Sequence, residues 1–261
     1  MNEITTQLTE EIRKANNSEN MEVFTGKDGV HPSPDSPGAY LLGAIVAYEQ
    51  TQNNCVASVT IDASTGKYIA DNAEISDVVA NSSEVQYTYS PKSLPLAAND
   101  QYKKIESDFK YDITSKLNNE TIVINNLSSG TYKLTIDDSV LGQYTEEELS
   151  SGVNIATNPA NPSQVISQRS FDILYEMNNI SDSYVREYWR KRIAIMRAGV
   201  NPDDDVAVKA YYGDKQDEYD SYVKLKNEYP DNLSSVQKKF KDARELCKPN
   251  TYSVKLELVS E

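Results

Sequence analysis

The chain has 261 residues, 38% of them hydrophobic, and carries a formal net charge of −14 with a sequence pI near 4.6. That apolar content is enough to bury a core in one large or two modest domains. The acidic balance argues against nucleic acid and against anionic membrane surfaces, because both require basic clusters.

No apolar run approaches the roughly 20 residues of a membrane span, and Met1-Asn2-Glu3 opens without the basic and apolar leader of a signal peptide. Cys55 and Cys247 are too few for a disulfide scaffold and lack metal-ligand spacing; sequence leaves open whether they pair. No cofactor and no metal are expected.

From the N-terminus, Ile4, Leu8, Ile12 and Ala15 fall on one face of an amphipathic helix. Met21-Glu22-Val23-Phe24 reads as a short strand. Lys27-Asp28-Gly29-Val30-His31-Pro32 follows and contains the sole histidine of the chain. Histidine changes charge near neutral pH without special tuning, and a loop carboxylate three positions upstream can bond Nδ1 and leave Nε2 free. Asp28 and His31 are therefore candidates for the acid-base half of a catalytic triad; the alternative is a solvated turn histidine. Gly38 to Glu49 is apolar nearly all round, which predicts a buried helix. A unit of this size cannot cover its own apolar faces. Residues 1–50 thus need further sheet, a partner chain, or a dock onto the rest of the molecule.

From Val56 the period changes to two. Val56 to Ile61 is a strand candidate, and Asp62-Ala63-Ser64-Thr65-Gly66 is a turn. Ser64-Thr65-Gly66-Lys67 lacks the remaining glycines and the following helix of a phosphate loop. Glu84 to Tyr89 alternates as a strand until Pro91 and Pro95 break it. Tyr102, Ile105, Phe109, Ile113 and Leu117 suit one helix or two short ones. Thr121 to Ile124, Thr131 to Ile136 and Val140 to Tyr144 read as strands, with Asp137-Asp138-Ser139 as the tight connection between the last two. Thr145-Glu146-Glu147-Glu148 is a capping box, so these glutamates are cap and dipole partners before they are catalytic acids. Residues 55–155 form a strand-rich region, an antiparallel sandwich or sheet.

Asn158-Pro159-Ala160-Asn161-Pro162 marks the next boundary. Ile166, Ile173, Met177, Ile180, Tyr184, Tyr188 and Ile195 predict long helical structure to Ala198, with a break near Asn178-Asn179. Trp189 and neighbouring tyrosines can stack on sugar rings, but an aromatic stripe at helical spacing is more often core. Arg186, Arg190, Lys191, Arg192 and Arg197 suit salt bridges on a solvated face better than an anion site. Asn201-Pro202-Asp203-Asp204-Asp205 reads as a helix start with Asn201 as cap, and lacks calcium-loop spacing. Helices near 203–228 and 233–247 follow. Tyr252 to Val259 alternates as a strand, stable only if it joins the sheet of residues 55–145.

Asp28-Gly29-Val30-His31-Pro32, followed by a Pro/Gly segment and a small-residue-rich helix, resembles the last conserved block of the SGNH/GDSL hydrolases. Val59 to Lys67, Leu94-Pro95-Leu96, Gly130 to Asp137 and Gly152 to Ala156 resemble, in order, the C-terminal extension of bacterial SGNH-type esterases. The ordered set spans roughly residues 1–200. The fold implied is α+β: a C-terminal fragment of an α/β SGNH domain over 1–50, an antiparallel β-rich accessory region over 55–155, and a helical region with a terminal strand over 163–261.

The resemblance implies His31 as general base and then acid, Asp28 fixing its tautomer, and acyl esters, often on carbohydrates, as substrates. The family's Gly-Asp-Ser nucleophile block and its oxyanion Gly and Asn lie upstream of the Asp-His block. No Gly-Asp-Ser occurs here, and Ala98-Asn99-Asp100 lies downstream without the preceding glycine. Without a nucleophile, His31 has nothing to activate. Two functions stand side by side: the C-terminal part of a carboxylic-ester hydrolase, inactive alone, and a non-catalytic glycan- or protein-binding accessory module with a remnant Asp-His pair.

Overall fold

A computed structural model describes residues 37–51, 54–107 and 111–260. The chain is α+β and divides into two compact units, the first ending at Gln168 and resuming at Lys248–Glu261, the second comprising Arg169–Cys247. The expected helix over 4–15, the strand at 21–24 and the Asp28–His31 block lie outside the described residues.

The first unit is built on two sheets. One contains β1 (Cys55–Asp62), β2 (Tyr68–Asp71), β5 (Asn119–Asn125) and β8 (Val153–Asn154), in the order β2-β1-β5-β8. The other contains β3 (Ala73–Asn81), β4 (Glu84–Pro91), β6 (Thr131–Ile136), β7 (Ser139–Thr145) and β9 (Tyr252–Ser260), in the order β3-β4-β9-β6-β7. Every pair in the five-stranded sheet is antiparallel. In the other sheet β1 and β5 run parallel, a departure from the antiparallel expectation. The cause is topological: a parallel neighbour needs a long crossover, and the whole of β2 to β4 plus two helices separates these strands. β2 and β3 carry no sequence prediction; their mixed, largely exposed residues hide the period-two signal.

Alternation decides what is buried. Val59 and Ile61 of β1, Ile122 and Ile124 of β5, Val85, Tyr87 and Tyr89 of β4, Tyr132, Leu134 and Ile136 of β6, and Val254 and Leu256 of β9 share a single core. The predicted pairing of the terminal strand is observed, with β9 placed between β4 and β6.

A second, helical core lies in the same unit. Leu41, Ala44 and Ile45 of α1 (Pro37–Thr51) meet Tyr102 and Ile105 of α2 (Asp100–Ser107) and Ile113 and Leu117 of α3 (Ile113–Leu117). The expectation of a wholly buried first helix is corrected here. Leu42 and Val46 are about half exposed, because the helical core covers one side of α1.

α4 (Glu146–Ser151) starts in the predicted capping box: Thr145 Oγ1 accepts from Glu148 N at 3.2 Å and Glu148 Oε2 accepts from Thr145 N at 2.8 Å. The next helix, α5 (Pro162–Ile180), starts with Asn161 as cap and Pro162 at its first position, where the missing N–H costs nothing.

Arg169–Cys247 form the second unit. A π-helical turn, Ser181–Arg186, carries the chain from α5 into α6 (Glu187–Arg197) in place of the predicted break at Asn178-Asn179. One widened turn absorbs the change of phase while the chain remains helical. α7 (Asp205–Tyr212) is capped by Asp204, not Asn201: Asp204 Oδ1 accepts from Val206 N and Ala207 N, both at 3.0 Å. α8 (Gln216–Leu246) is one helix through Pro230, where two helices were expected. The real interruption is at Gly213, whose φ of 55° suits glycine best. Tyr188, Ile195, Val208, Tyr212, Tyr222 and Leu225 form the core of this unit.

Candidate functional site

Asp28 and His31 lie outside the described residues, so their geometry enters no argument below. The other sequence candidates resolve into structural roles. Asn99 Oδ1 accepts from Tyr102 N at 3.0 Å, capping α2. Ser64, Thr65 and Gly66 form the turn after β1. Asp62 Oδ1 accepts from Ser64 N, Ser64 Oγ and Thr65 N at 2.9, 2.6 and 3.1 Å, which lowers the Asp62 carboxyl to about 2. Glu148 is engaged in its capping box. Cys55 and Cys247 do not form a disulfide.

The basic stretch of the second unit is largely ion-paired. Arg186 meets Asp182, Arg190 meets Glu187 at 3.2 Å, and Arg192 grips Asp203 through two bonds of 2.9 Å. The hydrogen bonds from Arg192 hold the Asp203 carboxyl below its ordinary range. Tyr188 is core, stacked on Tyr222 and tilted against Tyr229 at 4.7 Å. Trp189 stands half exposed beside it.

A polar cluster inside the first unit was not anticipated. Glu120 is the second residue of β5, in phase with Ile122 and Ile124, so alternation turns its carboxylate into the core. It is 1% exposed. Oε1 accepts from Tyr89 Oη at 2.9 Å and Oε2 from Asn161 Nδ2 at 2.7 Å. Asn161 Nδ2 also donates to Ile155 O at 3.1 Å, its Oδ1 accepts from Ser163 N at 3.0 Å, and Ser163 Oγ donates to Tyr252 Oη at 3.3 Å.

Burial raises the Glu120 carboxyl above its ordinary value, against the opposing pull of the Asn161 and Tyr89 hydrogen bonds. It also pushes the Tyr89 phenol well up, with the Glu120 charge adding to the effect. A carboxylate sealed this completely cannot reach a substrate proton. Its chemistry is that of a tie: it binds β4 of one sheet and the cap of α5 to a strand of the other. The sequence signal was available, since Asn119-Glu120-Thr121-Ile122-Val123-Ile124 places a carboxylate on the apolar phase.

Among the described residues no group of three or more His, Cys, Asp or Glu is placed to hold a metal, and no helix is long and apolar enough to cross a membrane.

No family model and no curated protein matches the chain. Among solved structures, it is similar to BT4096, described as a gut microbial diltiazem-metabolizing enzyme, with a TM-score of 0.80 and 16% identity over 97% of this chain. The chain spans 61% of the length of that structure. At this identity the likeness is one of fold, and the fold of these residues is thus similar to that found within a larger enzyme.

Proposed function

We propose that this chain is the C-terminal part of a carboxylic-ester hydrolase of SGNH/GDSL type, with His31 as general base and then acid and Asp28 as the group that fixes its tautomer. The observation that carries the reading is the Asp28-Gly29-Val30-His31-Pro32 block at the head of an ordered series of further motifs. The fold likeness to a longer chain that is an enzyme supports it. On this reading the serine and the oxyanion donors come from sequence outside these residues, and the strand-rich region over 55–155 and the helical region that follows it are non-catalytic. The Asp-His pair would take the serine proton, deliver it to the leaving alkoxide, and then activate water for deacylation.

The test is hydrolysis of 4-nitrophenyl acetate by this chain and by His31→Ala, alone and in the product of the complete open reading frame. The expected result is background turnover by the chain alone. A Gly-Asp-Ser serine in the complete product should give activity that His31→Ala lowers by about a thousandfold or more. Undiminished activity of His31→Ala in an active complete product would overturn the proposal, as would a complete reading frame without such a serine.

A further inference from the structure

The second unit presents an apolar ridge that its own core leaves uncovered. Trp189, Ile193 and Met196 are 41%, 37% and 47% exposed. Their i, i+4, i+7 spacing aligns them within about 60° of one another on α6. Tyr188 and Ile195, on the buried side of the same helix, are at 7% and 0%.

The ridge is held in shape. Trp189 Nε1 donates to Tyr229 Oη at 3.0 Å. The indole sits edge-on to Tyr188 and Tyr229 at 5.8 and 6.1 Å, and the Arg192 guanidinium lies 5.8 Å from its centroid. A large aromatic already fixed in one rotamer loses little entropy when a partner covers it.

Charge tells what would cover it. The chain carries −14 overall, yet Ser181 to Arg197 holds five cationic side chains against two carboxylates. Arg190 and Arg197 follow the ridge about 80–100° round the helix from Trp189. The intrahelical pairs Arg186–Asp182 and Arg190–Glu187 are exposed. Such pairs are weak enough to exchange for an incoming carboxylate.

We propose that the Trp189–Ile193–Met196 ridge of α6 docks an acidic amphipathic helix of a partner protein. The apolar face of that helix would cover the three side chains, and its glutamates or aspartates would meet the arginine flank. A second copy of this chain fits less well, because a two-fold contact along α6 would bring two arginine flanks together. Ile193 and Met196 offer no surface on which a base or a sugar ring can stack. This proposal is independent of the hydrolase reading.

Trp189 is the sole tryptophan of the chain, so its emission reports on the ridge directly. The full chain is titrated with a synthetic amphipathic helical peptide bearing a leucine stripe flanked by glutamates. Counterparts flanked by glutamine and by lysine, and vesicles of phosphatidylglycerol, are run beside it. The expected result is a saturable blue shift with the glutamate peptide, about tenfold weaker binding of the glutamine peptide, and none of the lysine peptide. Ile193→Ser with Met196→Ser should weaken binding by about tenfold at unchanged circular dichroism, because both positions are exposed. Four outcomes would overturn the proposal: no saturable shift, equal response to all three peptides, undiminished binding by the double variant, or a shift with vesicles or protein concentration alone.

Discussion

Tyr89 Oη donates to Glu120 Oε1 at 2.9 Å, joining β4 of the five-stranded sheet to β5 of the four-stranded sheet inside their shared core. Because Glu120 is sealed from water, each of its oxygens depends on a protein donor. Tyr89→Phe keeps the ring and its packing and removes only the donor, leaving Oε1 without the bond. The expected loss is about 1–3 kcal/mol, the cost of a buried polar atom deprived of its partner. Urea denaturation measures it; an unchanged midpoint would show that the two sheets do not depend on this bond.

Glu120 also gives a defined pH signature. Burial raises its carboxyl above the ordinary 4.5, so the folded state binds its proton more tightly than the unfolded chain does. The stability this contributes is fully present below about 4.5 and is lost as pH rises through the raised folded value. Carboxylates such as the exposed Asp203 and the half-buried Glu257, held low by their partners, act in the opposite sense. The informative quantity is therefore the stability of the natural chain minus that of Glu120→Gln. That difference should shrink from pH 4.5 toward neutrality; a constant difference would mean that Glu120 does not titrate abnormally.

The contrast between what the sequence revealed and what it concealed follows from the range of each interaction. Val59, Ile61, Ile122, Ile124, Leu134 and Ile136 declare their strands through alternation, and Thr145 with Glu148 declares a helix start, because these signals lie within a few residues of each other. Whether β1 and β5 run parallel depends on partners more than fifty residues apart, about which alternation is silent. β2 and β3 are edge strands; β2 is mostly exposed, and in β3 the apolar phase of Ala73 and Ile75 is shifted to Val78 and Ala80 by the irregularity between Ser76 and Val79, which hides the alternation. The Glu120 tie brings together residues 89, 120 and 161: a carboxylate on the apolar phase of its strand marks Glu120 in the sequence, but its partners Tyr89 and Asn161 are ordinary in their own segments and distant in the chain. His31 and Asp28 are the reverse case: legible as a motif, and placed beyond the described residues.

The terminal strand makes a sharper test of the fold. Leu256 pairs across with Val85 on one side and Leu134 on the other, and all three are buried. Leu256→Ala removes side-chain volume from the centre of this row and is expected to cost about 2–5 kcal/mol. Lys255, one position earlier, faces the other side of the sheet and forms half-exposed ion pairs with Glu84 and Glu257. Lys255→Ala should cost about 1 kcal/mol or less. Thermal unfolding of the two variants side by side decides the matter: comparable losses would contradict the placement of β9 in the middle of the sheet.

Pro230 is the position where local sequence and tertiary structure disagree most. A proline inside a helix removes one backbone donor and crowds the carbonyl four residues earlier, so the sequence predicts an end near residue 228. α8 nevertheless continues from Gln216 to Leu246. Packing on the N-terminal side supplies the reason: Tyr222 and Leu225 are in the core, and Tyr229, next to the proline, lies against Tyr188 at 4.7 Å. Beyond the proline, Lys239 pairs with Glu176 of α5 at 2.7 Å. Pro230 itself is exposed, so water can serve the deprived carbonyl of Lys226. Pro230→Ala restores the donor without touching the core and should stabilise the second unit by about 1–3 kcal/mol. A raised melting temperature with slower amide exchange over residues 226–234 is the expected result. A lowered one would show that the proline ring makes packing contacts that the helix needs.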